Sequence, residues 1–122
     1  MPARKVGRIQ TRSAFRELQR SRTRASCGPV RATFVPVAPE VPGVYPQVGY
    51  AIGKHCGNAV VRNSLRRRMR ESARAIAPTL PRGAYLLRVE PAAATLRSDA
   101  FVADVQRALQ RAAASTQGQV QP

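Results

Sequence analysis

At 122 residues, the chain fits one compact domain that can bury a core without a disulfide or a metal ion. Its 21 Lys and Arg residues against 6 Asp and Glu give a net charge of +15, which costs stability through self-repulsion unless a polyanion relieves it. The apolar runs are too short to cross a membrane, and 2 cysteines without a secretory segment favour free thiols in a reduced, cytoplasmic setting.

The N-terminal region divides into a basic arm and a short helix. Residues 1–11 are expected to be flexible, and Ser13 can cap a helix that runs to Ser21 with Phe15 and Leu18 facing inward. The richness of this region in Arg, Ser and Thr also resembles a mitochondrial transit peptide. We favour the folded helix because apolar residues follow a suitable cap.

Two strands and a proline-rich connection follow. Residues 30–35 alternate and are rich in β-formers, which predicts a strand. Residues 36–46 contain four prolines and predict a rigid loop or a hairpin connection, because proline cannot donate to a sheet ladder. Residues 47–54 predict a second strand that places Val48, Tyr50 and Ile52 on one face.

The second half of the chain predicts a helix, a strand and a final helix. Asn58 is a good cap for a helix that Pro78 ends, and residues 84–89 read as a buried strand. A final helix starts at Ser98 or Asp99, and the polar tail from residue 115 is expected to be disordered. Its apolar residues recur at helical spacing: Phe101, Val105, Leu109 and Ala112. This order predicts a single α+β domain over residues 1–122, with helices on one face of a small sheet and an ordered core of about residues 8–113.

The helix after Asn58 carries the strongest functional signal. Its apolar stripe comprises Val61, Leu65, Met69, Ser72 and Ile76. Its polar side comprises Arg62, Asn63, Arg66, Arg67, Arg70 and Arg74, and Arg68 falls beside the stripe. Solvated helix faces usually mix charges of both signs, whereas this helix has only Glu71, so a nucleic-acid backbone is the favoured partner. A solvated face is the alternative, and a cationic membrane-surface helix ranks last.

His55 and Cys56 raise the question of a metal site or a nucleophile. No second Cys/His pair lies near them in the sequence, and the six acids do not cluster. We therefore expect no catalytic residues and no metal ligands in the protein itself.

The run from Tyr50 to Glu71, YAIGKHCGNAVVRNSLRRRMRE, resembles the signature of the bacterial ribonuclease P protein subunit. In that family a strand ends in a Lys-containing turn, which leads into Gly-Asn-Ala-Val-x-Arg-Asn and an Arg/Lys-rich helix. A weaker resemblance extends from Phe15 to the final helix. The resemblance implies a small mixed sheet in which the basic helix makes a left-handed βαβ crossover, with further N- and C-terminal helices.

The resemblance also implies a role and its site residues. The protein would pair with a catalytic RNA subunit that uses Mg²⁺ to remove the 5′ leader of precursor tRNA, and would itself bind no cofactor. The residues that would hold the RNA subunit are Lys54, Asn58, Arg62 and Arg66. Those that would line a cleft for the single-stranded leader are Phe15, Phe34, Asn63, Arg67 and Arg70. A non-catalytic ribosomal or RNA-assembly protein is the alternative.

Five positions depart from the family pattern. Ser64 stands where a basic residue is usual, and Gly53 and His55 stand where the turn normally has Ser and Lys. Gln19 replaces an aromatic residue, and Gln47 replaces a frequent Arg. These departures affect the leader-binding prediction more than the fold.

Overall fold

The computed structural model describes residues 24–120, together with Gly7, Arg16 and Leu18. Within them lie β1 (Arg24–Cys27), β2 (Val30–Pro36), β3 (Gln47–Ile52), α1 (Ala59–Ile76), β4 (Gly83–Val89) and α2 (Ser98–Val120). Short 3₁₀ turns occupy Lys54–Cys56, Ala77–Thr79 and Pro91–Thr95. The elements form the predicted α+β domain, and no helix among these residues is both long enough and apolar enough to span a membrane.

The sheet has the strand order β1-β2-β4-β3. The β1–β2 and β2–β4 pairs are antiparallel, whereas β3 and β4 are parallel neighbours joined through α1. The β3–α1–β4 crossover that the resemblance implies is thereby confirmed, and its left-handed sense stays a prediction. The proline-rich segment carries the chain past β4 as a loop, so the hairpin alternative is wrong.

Strand β1 was not predicted from the sequence. It pairs with β2 through a two-residue turn in which Gly28 has a φ of +57°, a conformation that glycine adopts without steric cost. The Cys27 thiol donates to Asp104 Oδ1 at 3.3 Å, which ties the strand to α2. With only four residues, β1 depends on these partners more than on its own sequence.

The main core lies between one sheet face and the two long helices. Phe34 and Tyr85 contribute the largest fully buried rings from the sheet, with Leu65 and Met69 of α1 opposite. The predicted inward residues of the final helix are all 0 % exposed: Phe101, Val105, Leu109 and Ala112. Each large apolar side chain of this layer contributes about 2 kcal/mol through removal from water, so the layer holds both helices on the sheet.

The opposite sheet face carries a second, smaller core. Leu18 is helical, 0 % exposed and packed with Ala84 and Leu86, whose side chains alternate away from the main core. The predicted inward orientation of Leu18 is confirmed. The prediction that all helices lie on one face of the sheet is wrong, because apolar residues occupy both faces of β4. Phe15, Gln19 and the remainder of the predicted N-terminal helix lie outside the described residues.

The ends of the ordered core also differ from prediction. Gly7 forms a parallel bridge with Gln47 and exchanges backbone hydrogen bonds with Pro46 and Val48 of 2.8 and 3.0 Å, so this part of the expected flexible arm lies on the edge of β3. Helix α2 continues to Val120, beyond the end expected near residue 113. No proline lies between Ser98 and Val120 to stop it.

Candidate nucleic-acid interface

The N-terminus of α1 is built by the turn that precedes it. Gly57 has a φ of +140°, and a side chain there would collide with Val61. Asn58 then caps the helix as predicted, its Oδ1 accepting from the Val61 amide at 3.0 Å. Lys54 lies exposed in the 3₁₀ turn just before. The positive end of the helix dipole, a lysine and an asparagine amide thus share one exposed corner.

The apolar stripe of α1 anchors the helix as its spacing predicts. Leu65, Met69 and Ser72 are buried, whereas Val61 and Ile76 are half-buried against the same core. The Ser72 hydroxyl donates to the Arg68 carbonyl at 2.6 Å, so its burial leaves no unpaired donor. The stripe fixes which side of the helix faces solvent.

The basic residues occupy one flank of α1 rather than its whole outer side. At 100° per residue they fall within an arc of about 140°. This basic flank consists of Arg62, Asn63, Arg66, Arg67, Arg70 and Arg74. It lies on the side of β3, because Arg70 and Arg74 are close enough to Tyr50 to act on its charge state. The basic flank therefore places a row of cations along the edge of the sheet.

The basic flank is not neutralised by acids within the described part of the chain. The two ion pairs found there, Arg31–Glu90 and Arg97–Asp99, do not involve α1. Asn63 and Arg66 instead form an exposed hydrogen bond of 3.0 Å to each other. The flank therefore presents uncompensated guanidinium groups, which match the spacing and charge of phosphates.

Arg68 belongs to the other flank of the helix. Its guanidinium carbon lies 5.2 Å from the centroid of the Phe101 ring in α2, and its Nε is sealed from solvent. The predicted position beside the apolar stripe is confirmed. Arg68 thus links the two helices and does not belong to the basic flank.

The structure places seven of the nine predicted site residues on this corner and flank. Lys54, Asn58, Asn63, Arg67 and Arg70 are exposed, and Arg62 and Arg66 are half-buried. Phe15 lies outside the described residues. The binding roles that the resemblance implies for these seven residues stay predictions.

Phe34 requires a correction. It is 2 % exposed and stacks on Tyr85 at 4.5 Å between ring centroids, within the core under the helices. Its position in β2 alternates with that of Thr33, so it faces α2 and not the opposite sheet face. A nucleotide has no access to its ring in this structure, and the leader-binding assignment of Phe34 is not supported.

A second basic surface, which the sequence did not reveal, lies on the opposite sheet face. A groove of about 340 Å³ there is lined by Arg24, Ser26, Arg31, Thr33 and Arg88. We call this surface the sheet groove. Arg31 and Arg88 are directly opposite in the β2–β4 register, and Glu90 pairs with Arg31 at 2.5 Å. Alternation along a strand tells which residues share a face of that strand. It could not have revealed the groove from sequence alone, because the pairing of the three strands decides whether their arginines meet on one face of the sheet.

His55 and Cys56 have separate environments. Cys56 is buried and its thiol donates to the Val89 carbonyl at 3.6 Å, whereas His55 is exposed. Both cysteines are free, as predicted. Among the described residues, no group of three or more His, Cys, Asp and Glu side chains is arranged to hold a metal ion.

Comparison with known proteins gives one consistent result. A family model described as Ribonuclease P matches residues 3–113. The chain is 34% identical over 115 residues to a ribonuclease P protein component of Nocardioides, covering 91% of this chain and 95% of the relative. A Synechococcus protein of the same name is 36% identical over 107 residues, covering 86% and 80% respectively. The fold is similar to that of the RNase P protein from Staphylococcus aureus, with a TM-score of 0.71 at 18% identity over 92% of this chain and 93% of that one.

Proposed function

Since the chain belongs to the ribonuclease P protein family, we propose that it binds a catalytic RNA subunit and assists that RNA in removing the 5′ leader of precursor tRNA. The observation that carries this proposal is the basic flank of α1. Five of its six residues are arginines, and none forms an ion pair with an acid of the described residues. Such a surface gains its binding energy from phosphate contacts and counterion release.

We divide this surface between the two RNA partners. Lys54 and Asn58 at the corner, with the half-buried Arg62 and Arg66, would hold the RNA subunit. Asn63, Arg67 and Arg70 are exposed on the outer part of the flank and would meet the leader.

The sheet groove offers the leader a further surface in place of Phe34. Arginines bind single-stranded backbone and stack on bases without requiring a particular sequence. The hydroxyls of Ser26 and Thr33 line the same groove and add donors for phosphate or sugar oxygens. The role inferred for Phe15 stays a prediction.

Catalysis is proposed to belong to the RNA. When Mg²⁺ is bound, it supplies electrostatic stabilisation of the reacting phosphate and an activated water. The described side chains offer no cluster of carboxylates that fits such an ion. We propose for the protein the task of neutralising RNA phosphates and positioning the leader, in the cytoplasm and away from membranes.

Reconstitution tests the proposal directly. The purified protein alone should leave precursor tRNA uncut, and adding it to a bacterial-type catalytic RNA at low magnesium should raise the rate of 5′ cleavage. A variant with Arg62, Arg66 and Arg70 changed to alanine should lose the stimulation. A variant with Arg97, Arg107 and Arg111 changed to alanine has the same net charge and should keep it.

Two results would overturn the assignment. The first is an absence of stimulation at every magnesium concentration. The second is recovery of bulk ribosomal RNA, with no catalytic RNA, on the protein isolated from cells. That recovery would favour a ribosomal or assembly protein that uses the same helix.

A further inference from the structure

The Tyr50 hydroxyl is a buried polar group with no assigned partner. Tyr50 lies on β3, with its ring packed against the main core under α1. Its Oη is sealed from solvent and, within the described part of the chain, makes no hydrogen bond. Buried hydroxyls are normally paired, because an unmade hydrogen bond costs stability. The other buried phenol follows this rule, since Tyr85 Oη donates to the Pro81 carbonyl at 2.8 Å.

Two cations of the basic flank act on the Tyr50 hydroxyl. Arg70 and Arg74 lie one helical turn apart on the basic flank, and both are exposed. Burial raises the pKa of the Tyr50 phenol, and the positive charges of Arg70 and Arg74 oppose that rise. Glu71, the acid next to them in the helix, forms no ion pair within 4.0 Å with either arginine. Two like charges at this spacing destabilise the helix unless an anion lies between them.

We propose that Tyr50, Arg70 and Arg74 form a binding site for one phosphate group. The two guanidinium groups would each donate to phosphate oxygens, and the Tyr50 hydroxyl would donate to a third oxygen from beneath. Arg70 and Arg74 were predicted on the basic flank, whereas Tyr50 was predicted only to share one face of a strand with Val48 and Ile52. We assign a backbone phosphate of RNA as the occupant. That identity rests on the proposed function, whereas the ability of the site to bind a phosphate group does not.

In this proposal, a phosphate reaches the hydroxyl through side-chain movement. The backbone around Tyr50 is fixed by the parallel pairing of β3 with β4, in which Tyr50 lies opposite Leu87. Arg70 and Arg74, whose charges act on the phenol, are exposed, and exposed side chains change rotamer within picoseconds to nanoseconds. A phosphate that draws both guanidinium groups towards Tyr50 would satisfy the hydroxyl at once.

The test separates a phosphate site from a packing role. Binding of inorganic phosphate is measured on the full chain, by thermal stabilisation and by the shifts of arginine side-chain N–H signals, with NaCl keeping the ionic strength constant. Tyr50→Phe should leave the melting temperature without phosphate unchanged or higher, because it removes an unpaired buried hydroxyl. It should weaken phosphate binding by about tenfold, the usual effect of one hydrogen bond to a charged group.

Matched variants control for fold and for charge. Arg74→Gln should weaken phosphate binding as Tyr50→Phe does, and the double variant should be little weaker than either single one. Arg107→Gln removes an exposed arginine of α2 and should leave binding unchanged. Tyr85→Phe should lower the melting temperature yet leave phosphate affinity intact. Equal phosphate affinity in the parent chain, Tyr50→Phe and Arg74→Gln would overturn the site.

A second arm identifies the source of the phosphate. If the occupant belongs to RNA, Tyr50→Phe should weaken binding of the catalytic RNA or the leader several-fold, with no loss of folded protein. Weakened inorganic phosphate binding without any change towards RNA would assign the site to free phosphate and overturn the RNA occupant. Failure of the proposed function can be told apart from failure of the site. If the parent chain did not stimulate cleavage by the catalytic RNA, the proposed function would fail, but the measured binding of inorganic phosphate would be unaffected.

Discussion

Arg66 donates from Nη1 to Asn63 Oδ1 at 3.0 Å across one turn of α1. The bond engages the amide oxygen of Asn63, so the groups left for a partner are mainly donors, the Nδ2 hydrogens of Asn63 and the other N–H groups of Arg66. This polarity suits a phosphate or a base edge and disfavours a second cation.

Replacing the Asn63 amide by a carboxylate should make this pair of side chains less favourable for RNA binding. Asn63→Asp places a negative charge beside Arg66, which strengthens the bond within the helix and neutralises one cation of the flank. We expect RNA affinity to fall more in Asn63→Asp than in Asn63→Ala, with the helix as stable as before. Binding measured against salt concentration, alongside circular dichroism melting, checks this. An Asn63→Asp protein that binds RNA like the parent would contradict an outward-facing role.

The whole flank should account for most of the salt dependence of RNA binding. Changing Arg62, Arg66 and Arg70 to alanine removes three candidate phosphate contacts, so the slope of log K against log salt should become shallower by about two to three units. The triple variant of Arg97, Arg107 and Arg111 has the same charge and should keep the parent slope. Equal slopes in the two triple variants would mean that net charge alone attracts RNA.

The surface on α1 could be predicted from sequence because its determinants are local. The Asn58 cap, the apolar stripe from Val61 to Ile76 and the positions of the arginines all follow from helix periodicity within one segment. The parallel β3–α1–β4 connection followed only from the resemblance, since no local pattern specifies which strands become neighbours.

What the sequence could not show depends on contacts between distant segments. β1 has four residues and exists through its pairing with β2. Whether Phe34 faces a nucleotide or the core depends on which sheet face α2 covers, and alternation along β2 cannot decide that. The sheet groove and the neighbourhood of Tyr50 likewise require the assembled sheet.

Asn58 has two separable roles that substitution can distinguish. Asn58→Ala removes the cap that Val61 N uses and should cost about 1 kcal/mol of unfolding free energy, or about 4 °C in melting temperature. Asn58→Asp keeps an oxygen acceptor and favours the helix dipole, so the protein should melt like the parent. If Asn58 also contacts RNA, Asn58→Asp should weaken binding at unchanged stability. Parent-like RNA binding by Asn58→Asp would restrict Asn58 to capping.

Phe34 should behave as a core residue. Phe34→Leu removes the stacking on Tyr85 and leaves a small packing defect, for an expected loss of about 1–2 kcal/mol in unfolding free energy. Leader affinity, measured below the melting transition, should not change. A several-fold loss of leader affinity in a protein that remains fully folded would restore the role that the resemblance first implied.

Buried phenols should make the protein lose stability in alkali. Burial raises the pKa of both Tyr85 and Tyr50 above the ordinary value of 10.0. The folded chain then holds these protons where the unfolded chain releases them, so their contribution to stability is complete below about pH 10 and declines as the pH rises further. Each phenol can contribute a slope of up to about 1.4 kcal/mol per pH unit.

Tyr85→Phe isolates one of these phenols. It loses the hydrogen bond to the Pro81 carbonyl and should be less stable than the parent at pH 8, yet its free energy of unfolding should decline less steeply above pH 10. Urea unfolding between pH 8 and pH 11.5 measures both effects. The chain has only two lysines, Lys5 and Lys54, and the guanidinium groups stay charged over this range, so the difference between parent and variant reports the phenol. Parallel alkaline slopes would show that the Tyr85 hydroxyl titrates alike in the folded and unfolded chains, contrary to its burial.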